Sequence, residues 1–93
     1  MTVALLSLEL YLPMSRSLKD KRMVVRRIKD RVKAANVAIA EVAHHDLWQR
    51  AGLGIVTVGN VDAVVEATLG ATLREIERLE PGLVTASQVE YLR

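Results

Sequence analysis

Cysteine and phenylalanine are both absent from this chain. Without cysteine there is no disulfide, no thiol chemistry and no cysteine-ligated metal, and a reducing, cytoplasmic setting is the natural expectation. The aromatic residues are only Tyr11, Trp48 and Tyr91, which leaves little for stacking bases across a sheet. Asparagine and glutamine number two each, a composition that leans towards a thermophilic source. The opening run TVALLSLELYLP lacks a basic leader, carries Glu9 in its middle and is too short to cross a bilayer, so it reads as a strand rather than a signal or a membrane span. No Ser/His/Asp set, glycine-rich phosphate loop or isolated carboxylate pair is present. The expectation is therefore a protein with no enzymatic activity, no catalytic residue and no cofactor.

What is present is a chain of 93 residues, 51% hydrophobic and 26% charged. That is the size and balance of one globular domain spanning residues 1–93. The formal net charge of +2 hides a division. Residues 1–34 carry nine Lys and Arg against three acids, whereas residues 35–93 carry four against eight. For steering a charged partner the local sign outweighs the total.

Hydrophobic periodicity orders the elements. Ala4, Leu6, Leu8, Leu10 and Leu12 alternate along a first strand that Pro13 ends. Ser17 has the character of a helix N-cap, with Asp20 as its capping-box partner. Leu18, Val25, Ile28, Val32 and Ala35 then make the apolar stripe of a helix from about residue 18 to about 34. NVAIAEVAHH reads as a second strand, DLWQRAG as a connection, and LGIVTVGN as a third strand. Val61, Val65, Thr68, Thr72, Ile76 and Leu79 trace a second helix that Pro81-Gly82 stops, and LVTASQVEYL is the last strand. The order β-α-β-β-α-β implies an α+β, ferredoxin-like sandwich. In it a four-stranded antiparallel sheet carries two helices on one face, with the first and third strands central.

The segment SLKDKRMVVRRIKDRVKAA holds eight of the thirteen Lys and Arg. Lys19, Arg22, Arg26, Lys29 and Lys33 repeat at spacings of three and four, one line along the helix with no acid on it. A solvated outer face usually mixes signs. Five cations in line suit the spaced phosphates of a nucleic-acid backbone, and these five are the candidate nucleic-acid-binding residues. Since the third strand has no aromatic residue, contact through phosphates is expected rather than base stacking on the sheet.

Three other features carry candidate chemistry. Arg16 and Ser17, at the mouth of the first helix, form a candidate anion site, although capping is the preferred reading of PMSRS. His44, His45 and Asp46 invite a metal reading, but adjacent strand residues point to opposite faces, so no metal is expected. Trp48 is expected to plug one end of the core. Its functional reading is a partner anchor, with Arg50 beside it and Ile39 on the second strand as further interface residues.

SLKDKR, NVAIAEV and DLWQRAGLG together resemble the YlxP-like bacterial family, a domain of unknown function, over essentially the whole chain. The resemblance implies a ferredoxin-like fold and no established activity or catalytic residue. Such proteins are encoded in several bacteria beside translation-initiation and ribosome-maturation factors, which implies by association a role around RNA or the ribosome. One departure is Ala34-Ala35-Asn36, where an aromatic residue is expected before the asparagine; a smaller core is expected there. The leading expectation is a non-enzymatic RNA- or ribosome-associated module acting through its first helix. The alternative is a protein-interaction or homodimeric domain that pairs through the open sheet face or the VAIAEVA edge. A small anion-binding hydrolase at Arg16 ranks third.

Overall fold

Six elements follow one another in a computed structural model that describes residues 1–92: β1 (Thr2–Tyr11), α1 (Leu18–Val32), β2 (Ala38–Ala43), β3 (Arg50–Gly59), α2 (Asp62–Leu79) and β4 (Val84–Tyr91). The strands form one antiparallel sheet in the order β2-β3-β1-β4, so β1 and β3 are central and β2 and β4 are edges. This is the ferredoxin-like arrangement that the periodicity implies. One face of the sheet supplies Ala4, Leu6, Leu8 and Leu10 from β1 and Ala51, Leu53 and Ile55 from β3. Against it pack Val25, Ile28 and Val32 of α1 and Val65, Leu69 and Ile76 of α2. Burying each such Leu or Ile side chain stabilises the fold by about 1.5–3 kcal/mol.

Several boundaries depart from expectation, each for a local reason. β2 stops at Ala43 because His44 adopts a left-handed φ of 63°, a region that side chains other than glycine rarely enter. A bulge between Glu41 and Ala43 precedes it. There β2 and β3 approach so closely that a Cβ on Gly52 would lie 2.7 Å from that of Ala43. β3 starts earlier than its β-branched run, at Arg50, because Arg50 to Gly52 pair with β1 from Tyr11 to Glu9. On α2 the buried line is Val65, Leu69, Thr72 and Ile76, whereas Val61 is the exposed N-cap residue.

At Ala34-Ala35-Asn36 polar pinning takes the place of core packing. Both alanines are exposed. Asn36 donates from its side chain to the Val58 carbonyl at 3.0 Å, and the buried Thr57 hydroxyl donates to the Asn36 carbonyl.

The two helices are tied by charge. Arg27 reaches Glu80 at 2.7 Å and Arg31 reaches Glu75 at 2.9 Å, with Arg78 also on Glu75. The hydrogen bond from Arg31, and then the charges of Arg78 and Arg31, hold the Glu75 carboxyl below its ordinary value against a desolvation that opposes them. A carboxyl depressed in the folded state binds its proton less readily than in the unfolded chain. The stability it contributes is therefore present above the ordinary value of 4.5 and is lost as pH falls through the depressed one. Urea unfolding midpoints should accordingly drop more steeply below that value in the wild type than in Glu75→Gln. Parallel curves for the two proteins would contradict this role.

Candidate nucleic-acid interface

α1 starts as its sequence implies, with one change of partner. The Ser17 hydroxyl accepts from the Asp20 amide at 3.0 Å, while the Asp20 carboxylate accepts from the Arg16 amide at 2.9 Å rather than from that of Ser17. Ser15 is buried, and its hydroxyl donates to the Ser17 carbonyl. At the mouth where an anion was expected on Arg16 and Ser17, a carboxylate of the chain itself sits on the Arg16 amide, and the Ser17 hydroxyl is engaged in the cap. The Arg16 guanidinium has no partner among the described residues.

Past the cap, the eight cations of α1 and its C-terminal flank divide cleanly. Lys21, Arg27 and Arg31 have acidic partners. Lys19, Arg22, Arg26, Lys29 and Lys33 have none among the described residues, and all are exposed except the half-buried Lys29. At about 100° per residue these five centre roughly 110° from the buried line of Lys21, Val25, Ile28 and Val32. Arg27 and Arg31 lie on the other flank, against α2. The free line is therefore the flank turned away from α2.

Lys21 is the residue that sequence reasoning missed. Its side chain is 1% exposed, although it is a lysine. Nζ donates to the carbonyls of His44 at 2.8 Å and His45 at 3.2 Å, and lies 2.9 Å from Glu41 Oε2. That oxygen has no directed hydrogen bond, so its attraction to Lys21 is Coulombic. The compact ammonium is thus held by two hydrogen-bonded carbonyls and one carboxylate charge. The signal was in the spacing: residues 21, 25, 28 and 32 share one helical face, and a lysine stands on it beside three branched apolar residues.

Lys21 thus anchors the segment between β2 and β3. The His44 ring, released by the backbone turn, meets the Glu9 carboxylate at 3.0 Å, and Arg50 reaches the same carboxylate at 3.3 Å. His45 turns back to the Glu41 carbonyl instead. Trp48 is no plug: it is 55% exposed and lines an open groove of about 610 Å³ with Tyr11, Asp46, Leu47, Gln49 and Arg50. The core end it was expected to close is filled by Leu10, Leu12 and Ala51. Ile39 is also corrected as an interface residue. It faces Ile55 on the helix side of the sheet and packs against the core.

The model of the DUF503 family, described as a protein of unknown function, matches residues 3–89. The chain belongs to that family. No curated protein matches it in sequence. In structure it resembles the de novo designed protein Foldit4, with a TM-score of 0.56 and 16% identity over 99% of this chain and 96% of that one. It also resembles At3g17210 from Arabidopsis thaliana, with a TM-score of 0.55 and 13% identity over 98% of this chain and 93% of that one. At such identities the likeness shows the fold alone. Among the described residues no helix is long and apolar enough to cross a membrane, and no three ligand-type side chains cluster as a metal site would require.

Replacing Lys21 by Met leaves Glu41 and two carbonyls without their cation. A loss of about 3 kcal/mol in urea unfolding is expected, since removing one partner of a buried pair strands the other. Glu41→Gln should cost clearly less, because Lys21 keeps both carbonyls and Glu41 is partly open to water. Equal losses, or a Lys21→Met variant as stable as wild type, would show that the staple is not what holds this end.

Proposed function

We propose that the protein is a non-enzymatic RNA-binding module that docks on phosphates through the free flank of α1. The observation that carries this reading is the division of charge on the helix. The α1 cations Lys21, Arg27 and Arg31 are paired with acids of other elements, and the five that lie in one line have no acidic partner among the described residues. Unpaired cations in line over about 20 Å of helix rise are the arrangement that gains most from releasing the counterions of a polyanion. The resemblance to the YlxP-like family, with its neighbours among translation and ribosome-maturation factors, supports RNA or the ribosome as the source of that polyanion. The absence of cysteine agrees with a cytoplasmic setting.

Reversing Arg22, Arg26 and Lys29 to Glu should weaken RNA binding at least tenfold and flatten the dependence of log K on log salt by about 0.7–0.9 per lost phosphate contact. The unfolding curve should move little, because Arg22 and Arg26 are exposed and none of the three has a partner among the described residues. Retention of both affinity and salt slope in the triple variant would refute the reading.

A second reading rests on the other face of the sheet. Val3 and Leu5 of β1 pair with Val58 and Val56 of β3, and Ala38 of β2 continues the row beside Val56. Among the described residues no element covers this face, and Val58 and Val42 are 45% and 60% exposed. Strands of this length at about 3.4 Å per residue and 4.8 Å apart give a face of roughly 550 Å². A second copy packed on it would bury about 1,100 Å² in total, near the lower bound of specific interfaces. Sedimentation equilibrium at micromolar concentration should then show a dimer that Val56→Lys converts to monomer. A wild type that stays monomeric across that range would exclude it.

A further inference from the structure

The segment from His44 to Gln49 is held on both sides while its largest side chain is left outside. Lys21 grips the carbonyls of His44 and His45. At the other end the Gln49 amide donates to the carbonyls of Pro13 at 3.1 Å and Ser15 at 3.3 Å, and the Gln49 carbonyl accepts from Leu12 at 2.8 Å. Between these anchors Trp48 stands 55% exposed, in a groove it shares with the half-exposed Tyr11 and the planar guanidinium of Arg50. Two of the chain's three aromatic residues are therefore gathered on one open surface, rigidly backed and unused by the core.

The surroundings carry the charge. Arg16 follows Ser15, whose carbonyl the Gln49 side chain holds, so the chain brings this arginine to the rim of the groove. Arg50 lies in the lining itself, against Glu9. Asp46 is the one acid in the lining. It disfavours a phosphate inside the groove but is suited to accept from an amino group on a base edge.

We propose that this groove binds an unpaired base of single-stranded RNA, stacked on Trp48 and Tyr11, with a flanking phosphate on Arg16. The proposal rests on the phosphate-binding reading of α1 and gives it a strand type: an unpaired segment rather than a duplex. Every base offers a π-face to an aromatic or guanidinium plane, so such a site selects single strands without a strict sequence.

Trp48 is the single tryptophan, so its fluorescence reports on the groove alone. The wild-type protein is titrated with oligocytidine and with a blunt RNA duplex at one salt concentration, and affinities are measured in parallel by anisotropy of labelled RNA. Oligocytidine should quench Trp48 and bind more tightly than the duplex. Trp48→Ala should lose about tenfold in affinity for the single strand, the worth of one stacked base, and keep its affinity for the duplex. Trp48→Phe should recover most of the loss. Because the side chain is exposed, urea unfolding should confirm that Trp48→Ala remains folded. RNA binding with an unchanged Trp48 signal and unchanged Trp48→Ala affinity would overturn the groove proposal while leaving the α1 reading intact. Equal quenching by duplex, or a Trp48 signal that follows protein concentration alone, would overturn it too, the latter in favour of a protein contact. Absence of any RNA binding would remove both.

Discussion

A lysine ammonium sealed between a helix and a strand end sets the arrangement of everything around it. Taking a charge out of water costs several kcal/mol unless oxygens replace the hydration shell. Lys21 finds three, from Glu41, His44 and His45. Two of these are carbonyls, which are available only if the backbone leaves β2 in the way it does. His44 enters a left-handed φ, a conformation that costs of order 1–3 kcal/mol and persists where its surroundings over-determine it. Here they do, since its carbonyl is held by Lys21 and its ring by Glu9. The bulge at Val42, the close approach at Gly52 and the course of the 44–49 segment all adjoin this one contact.

The same economy governs the rest of the charge. α2 contributes Glu75 and Glu80 to the neighbouring helix, and each is taken by an arginine on the facing flank of α1. Guanidinium groups suit such planar pairing, whereas lysine is a flexible point charge. What stays unpaired is the flank turned away from α2, where two arginines and three lysines stand in line. A helix that merely needed solubility would be expected to carry acids there as well. Of the two acids, Asp20 lies off that line and is occupied at the cap, while Asp30 borders it, four residues after Arg26 and three before Lys33.

Much of the fold was legible in the sequence because it rests on periodicity. Alternation placed Ala4 through Leu12 on one sheet face, and the order of elements placed β1 and β3 at the centre. The cationic line was equally legible, since it depends only on spacing along one helix. The groove was not. Its residues come from the end of β1, the 44–49 segment and the start of β3, and they meet only through a left-handed residue and a buried lysine that binds backbone oxygens. Carbonyls have no signature in a sequence, so their partner Lys21 looked like one more surface cation. Trp48 was misread for a related reason. A lone tryptophan near a turn normally finds a core to enter, but here Leu10, Leu12 and Ala51 already close that end.

That displacement bears on how a sheet of this topology can meet a nucleic acid. Base stacking on the open face would need aromatic residues on β1 and β3, and along most of its length those strands offer Val3, Leu5, Ser7 and Glu9 against Val58, Val56, Gly54 and Gly52 instead. Its one aromatic, Tyr11, stands at the extreme end of β1 opposite Arg50, where the 44–49 segment brings Trp48 alongside. The flat apolar stretch and the aromatic end are thus separate parts of one surface, the first suited to another sheet and the second to a π-face. α1, which carries the line of free cations, packs on the opposite face of the sheet. The aromatic end and the cationic flank are therefore joined only around the end of the sheet, through the 44–49 segment that Lys21 holds from the helix side.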